Sequence, residues 1–208
     1  AELIKSNYWV ESASIQYKFP AKFTIEVKEF GIVAYSVSGE NYYPILSSGE
    51  IESTAVSPSD LPETFISVLF TNEEQVKTLI SELSEVSSEI KDAIDKIELA
   101  PSKVTSDLLK ITMHDTDEIL VPLSELGKKL PYYSKIKPQL TVPSGIDMEV
   151  GIYSYSLKDK ALEEARIKAK EEEKKKQEEE KKKQEDQGNQ TQNQTQTQNQ
   201  TPQQSQSR

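Results

Sequence analysis

"GIDMEVGIYSYS", residues 145–156, decides where the folded part of this chain ends and how its sheet is closed. Read in alternation, Ile146, Met148, Val150 and Ile152 fall on one face, and Asp147, Glu149, Gly151, Tyr153 and Tyr155 on the other. Period two predicts a strand with one face against a core. The second face ends in two tyrosines, and nothing after them offers an apolar partner. Two readings stay open from the residues alone. The strand is either an edge whose amides and carbonyls await another chain, or an internal strand whose tyrosines cover the sheet.

Everything after residue 156 differs in composition. Residues 157–186 are rich in Ala, Glu, Lys and Gln, in blocks of like charge with no a/d apolar seam, which predicts a solvated single helix or a charged coil and no coiled coil. Residues 187–208 repeat Asn, Gln and Thr and are expected to stay disordered, because they bury too little apolar surface to offset ordering entropy. All aromatic residues of the 208-residue chain lie between Tyr8 and Tyr155.

Upstream, strands dominate. In "YWVESASIQYKF" (8–19), Trp9, Ala13, Ile15, Tyr17 and Phe19 share one face; after Pro20, "KFTIEVKE" (22–29) places Phe23, Ile25 and Val27 together. This predicts a hairpin, which needs further strands or a helix to be stable. "GIVAYSV" and "NYYPIL" predict two more strands around a Gly39 turn, and "TFISVLF" (64–70) a buried one. Val76, Leu79, Ile80 and Leu83 have helical spacing, Val86 and Ile90 extend the stripe, and Thr71 with Glu74 has capping-box spacing. Strands resume at 92–99, 107–113 and 118–123; a helix over 124–136 is interrupted by Pro131.

Charge and composition exclude several functions. Residues 1–157 hold 13 basic and 24 acidic side chains, a net −11, which repels phosphate backbones and predicts no nucleic-acid binding. With no cysteine there is no thiol chemistry. The single histidine, His114, neighbours Asp115, Asp117 and Glu118; the reading favoured is a polar hairpin turn, since no second imidazole or calcium-loop spacing accompanies it. No phosphate-cradling glycine loop or nucleophile elbow occurs, so no catalytic, cofactor or metal residues are assigned. Trp9 and the pair Tyr132–Tyr133 read as packing. No apolar run is long enough to span a bilayer, but the chain opens "AELIKSNYWV" almost directly before a strand and is expected to be a fragment of a longer protein.

Two stretches together resemble the bacterial cell-division family FtsQ/DivIB. "NYWVESASIQYKFPAKFTIEVKEFGIVAY" (7–35) is similar to its junction of an Asn-x-Trp-Val opening, two strands around an aromatic-Pro turn, a Thr-Ile-Glu-Val strand and a Val-Ala-Tyr. Residues 109–150 resemble its later strand, acidic turn (Asp115–Glu118), strand, Leu-rich helix with "KKL" and Ile146-Asp147-Met148. The likeness covers about residues 6–156.

That resemblance implies an α+β fold. Residues 1–30 would close a POTRA domain; 31–156 would be a β domain, a curved mixed or antiparallel sheet with helices on it; 157–208 would be a charged, then Gln/Asn-rich, disordered tail. It implies a non-enzymatic divisome scaffold, anchored by an upstream membrane span and lying outside the membrane at the division septum of a Gram-positive cell. Its partners would be DivIC/FtsB-like and FtsL-like proteins, added as a strand at Glu149, Val150, Gly151, Ile152, Tyr153, Ser154 and Tyr155, so helping to regulate septal peptidoglycan synthesis. One departure stands out: the family often has Arg and an aromatic after the Asp-hydrophobic pair, where this chain has Glu149 and Val150. Tyr153 and Tyr155 would then supply the aromatic contact. The rival readings are an extracellular wall-modifying hydrolase using His114, and a POTRA-type chaperone or transport module built on residues 8–29.

Overall fold

Alternation decides the first element. Strands β1 (Val10–Lys18) and β2 (Lys22–Glu29) pair antiparallel, so that Ala13 faces Val27, Ile15 faces Ile25 and Tyr17 faces Phe23 on one side. Ser12, Ser14 and Gln16 share the other side with Lys28, Glu26 and Thr24. The computed structural model describes residues 7–196, with side chains to residue 176. Within it, the hairpin is a two-stranded sheet of its own.

A mixed eight-stranded sheet follows, built from β3 (Ile32–Ser38), β4 (Asn41–Leu46), β5 (Ser67–Val68), β6 (Ile94–Leu99), β7 (Leu108–Met113), β8 (Glu118–Pro122), β9 (Ser144–Asp147) and β10 (Tyr153–Ser156). Their order is β10-β9-β8-β7-β6-β5-β3-β4. Neighbours are antiparallel except at β3–β5, β5–β6 and β8–β9, which are parallel. Parallel neighbours need a crossover, and helices supply two of them. Helices α1 (Glu73–Ser84) and α2 (Ser88–Asp92) join β5 to β6, and a helical run over 123–139 joins β8 to β9. The fold is thus α+β, as expected.

The helices sit where their stripes direct them. Val76, Leu79, Ile80 and Leu83 of α1 are buried with Ile97, Ile111, Ile119 and Ile146 from the sheet. Against α1 lies the 123–129 segment, whose Leu123 and Leu126 are buried and whose Gly127 amide donates to the Glu82 carboxylate at 2.9 Å. A Cβ on Gly127 would stand 3.0 Å from the Glu82 backbone oxygen, so glycine permits this approach.

The structure departs from expectation at several boundaries. Asn72, not Thr71, caps α1: its side chain accepts from the Gln75 amide at 3.1 Å, one residue later than the capping box predicts. The stripe continues to Val86 and Ile90, both buried, but the helix closes at Glu85 and restarts at Ser88. "TFISVLF" forms only a two-residue strand with Leu69 exposed, so it is buried in alternation and not throughout. The helix expected over 124–136 is a chain of single turns, including α3 (Leu126–Lys129) and α4 (Tyr133–Ile136), with Pro131 and Pro138 each opening a new 3-10 turn.

The hairpin meets the eight-stranded sheet through one carboxylate. Glu52 accepts from the Tyr8 hydroxyl and the Trp9 indole Nε1, both at 2.6 Å, and from the Thr54 amide. Beside it, the Phe30 amide donates to the Trp9 carbonyl and the Ser47 amide to that of Gly31. The Tyr8 hydroxyl above all holds Glu52 well below the usual carboxylate range, at about 2, and the same contact raises the Tyr8 phenol. Trp9 therefore bonds as well as packs.

A second compact unit begins at Lys158. Helix α5 (Leu157–Gln196) runs through it as one helix, which suits its Ala, Glu, Lys and Gln content. It continues past 186 into residues whose composition predicts disorder; residues 197–208 lie outside the described part.

Candidate partner-binding edge

The edge is set up by a buried polar cluster. In the β7–β8 turn, Thr116 adopts φ 72°, and Asp117 is turned inward and buried. Its carboxylate accepts from Tyr133 (3.0 Å), Lys137 (2.7 Å) and the Ser144 amide (2.8 Å). The last bond places the start of β9. Asp115 also pairs with Lys137. Burial opposes charge on both Asp115 and Lys137, yet their contacts outweigh it: Asp115 lies below its ordinary pKa and Lys137 above. Burial, then Asp117, raises the Tyr133 phenol. Of the two adjacent tyrosines, Tyr133 is buried and Tyr132 exposed. His114 occupies the turn, Nδ1 3.9 Å from Asp95, while the acids beside it are engaged elsewhere.

From Ser144 the chain runs parallel to β8, pairing Gly145 with Glu118 and Ile146 with Ile119. Ile146 and Met148 are fully buried, as the alternation requires. Then the pattern fails. Residues 148–152 make a turn, and β10 returns antiparallel, with Tyr153 opposite Asp147 and Tyr155 opposite Gly145. The single strand expected over 145–156 is instead a hairpin. One cause is local and polar: the Asp147 carboxylate accepts from the Glu149 amide at 2.9 Å, bending the chain as Asx residues do.

Of the seven residues expected to bind a partner, Glu149, Val150, Gly151 and Ile152 lie in this turn, and Tyr153, Ser154 and Tyr155 in β10. β10 is the last strand in the sheet order. The two tyrosines have different surroundings. Tyr155 is half-buried over Gly145, while Tyr153 is 66% exposed beside Val150 at 78% and Ile152 at 41%. The edge thus presents short strand backbone flanked by three apolar side chains.

Sequence reasoning missed two groups that hold the turn. Lys129 donates to the carbonyls of Met148 (2.7 Å) and Glu149 (3.0 Å). The Ser102 hydroxyl donates to the Glu149 carboxylate. Lys129 stands in the "KKL" stretch but 19 residues from Met148, a separation that no local pattern encodes.

Residues 1–30 match the FtsQ-type POTRA domain. The chain is similar to cell division protein DivIB of Streptococcus pneumoniae, strain R6, at 66% identity over 171 residues, covering 82% of this chain and 43% of that protein. It is also similar to DivIB of Streptococcus gordonii, at 47% over 154 residues, covering 74% and 39%. Among solved structures, the major extracytoplasmic domain of the trans isomer of DivIB from Geobacillus stearothermophilus aligns with TM-score 0.47 and 18% identity, over 54% of this chain and 95% of that one. The chain thus spans less than half the length of the relatives it matches.

Proposed function

This chain belongs to the DivIB family of bacterial cell-division proteins, and from that membership we propose that it is a non-enzymatic scaffold docking another division protein along β10. Residues 1–30 act as the end of a POTRA domain, 31–156 as the binding domain and 157–208 as a tail. The protein works on the outer side of the cell membrane at the septum, anchored by a span elsewhere in the longer protein. Its partners are DivIC/FtsB-like and FtsL-like proteins, and through them it helps to organise septal peptidoglycan synthesis.

The observation that carries this reading is the position of β10 at the end of the sheet order, with Tyr153 exposed next to Val150 and Ile152. A segment laid along a four-residue strand gains a few ladder hydrogen bonds, each contributing about 0.5–1.5 kcal/mol net. Association costs roughly 4–15 kcal/mol, so the ladder alone is too weak. Apolar contact with Tyr153, Val150 and Ile152 supplies the rest at about 25 cal/mol per Å² buried. Register comes from the backbone and selectivity from alternate side chains.

The test is an amide-shift titration of the isotope-labelled chain with the extracellular segment of a streptococcal DivIC. Shifts should cluster at 149–155, and Tyr153→Lys should weaken binding at least about tenfold. Shifts centred elsewhere, with Tyr153→Lys binding as well as the parent, would refute the reading.

A further inference from the structure

Lys129 reaches the docking turn from a different part of the fold. It ends α3, between the buried Leu126 and Leu130, so its backbone is fixed by the core. Its side chain is 20% exposed, and its ammonium carries three N–H donors. Two contacts go to the consecutive carbonyls of Met148 and Glu149, and a third to the Glu125 carboxylate at 2.6 Å. Two successive carbonyls drawn toward one point repel each other unless a cation or amide lies between them. In addition, Asp147 holds the Glu149 amide and Ser102 its carboxylate.

Past this clamp the chain passes directly into the exposed apolar residues. A Cβ at Gly151 would come within 2.8–2.9 Å of two ring carbons and the hydroxyl oxygen of Tyr153, so side chain and turn are in contact. Shape therefore passes from Lys129 to the 148–149 carbonyls, to Gly151 and on to Tyr153. Val150 and Ile152 project from the same five residues.

We infer that Lys129 is a positioning residue: by clamping the Met148 and Glu149 carbonyls it pre-forms the turn that displays Val150, Ile152 and Tyr153 to the partner. The inference rests on the reading of β10 as the docking edge. Its energetic logic is preorganisation, because a turn already ordered loses less entropy when a partner settles on it. Lys129 itself need not touch the partner.

The test has an arm that involves no partner. In the free chain, Lys129→Met should speed amide hydrogen exchange at 149–153 about tenfold or more, while β6, β7 and β8 exchange as before. In the titration with the streptococcal DivIC segment, the same variant should weaken binding about tenfold, through faster dissociation. Glu125→Gln, which loosens Lys129 without removing it, should do both to a smaller degree. If Lys129→Met lowers protection throughout the sheet, Lys129→Gln, which retains a donor, replaces it. Unchanged exchange at 149–153 overturns the inference even where Tyr153→Lys abolishes binding and upholds the docking edge. Faster exchange with undiminished binding also overturns it. If Tyr153→Lys too binds normally, the docking reading falls with it.

Discussion

The ring of Tyr155 lies across Gly145, its partner in the β9–β10 pair: a methyl group built on Gly145 would stand 2.2 and 2.3 Å from two ring carbons and 2.6 Å from the hydroxyl oxygen. The glycine is there because the tyrosine occupies the space its side chain would take. A strand glycine normally costs stability relative to alanine. Here the sign depends on Tyr155. Gly145→Ala in the parent chain should destabilise by about 1–3 kcal/mol, by pushing the ring off β9. In a Tyr155→Ala background the same substitution should be neutral or stabilising. Urea unfolding of the four chains in this cycle checks it, and equal effects in both backgrounds would contradict the contact.

Asp117 joins the β7–β8 turn, the 133–137 region and the start of β9 through a single buried carboxylate. Removing it leaves the Ser144 amide and the Tyr133 hydroxyl without that acceptor in a buried site. Asp117→Ala should therefore destabilise by about 3–5 kcal/mol, the scale for breaking a buried charged network. His114→Ala, at an exposed position in the same turn, should stay within about 0.5 kcal/mol of the parent. Comparing both variants by thermal and denaturant unfolding separates a structural cluster from a group of acids that merely surround a histidine.

How far the sequence foretold this architecture depends on whether each feature is local. The β1–β2 hairpin and α1 were legible because apolar residues keep period-two spacing over 13–19 and 23–27 and helical spacing over 76–83. The α+β class came from the family resemblance, and the mixed sheet with its helical crossovers agrees with it. The turn at 148–152 was not legible. Val150 and Ile152 continue the apolar alternation of Ile146 and Met148 on paper, so spacing extends the strand. What ends it is an Asx contact by Asp147 and a lysine delivered from the β8–β9 crossover. Likewise, nothing near Glu52 announces that it will receive Tyr8 and Trp9 from more than 40 residues away. Tertiary hydrogen bonds leave no period.

Glu52 gives the hairpin junction an acid limit. Its folded pKa of about 2 lies below the ordinary 4.5, so it binds its proton more weakly in the folded chain. The stabilisation is complete above about pH 4.5 and is lost as pH falls through 2. Trp9, the sole tryptophan, donates directly to this carboxylate and reports on it. Its fluorescence should hold steady well below pH 4.5 and change as pH falls through about 2, where the folded carboxylate takes up its proton. Glu52→Ala should show the altered emission already at pH 7, with the far-ultraviolet dichroism of the sheet retained. Parent-like emission from that variant would dissociate Trp9 from Glu52.

Removing residues 160–208 should leave both folding and docking in place. The buried hydrophobic residues run from Ala34 to Met148, so this deletion takes away none of the core among the described residues. β10 ends at Ser156, and its pairing with β9 stays within the retained chain. The deleted stretch is charged and then Gln/Asn-rich, with little apolar surface to contribute to cooperativity. The shortened chain should unfold in one transition at a midpoint within a few degrees of the parent, and bind the streptococcal DivIC segment with unchanged affinity. Calorimetry and the same titration measure both. A broadened, non-cooperative transition would mean that the tail stabilises the sheet, and weakened binding with a normal transition would place part of the docking surface beyond residue 159.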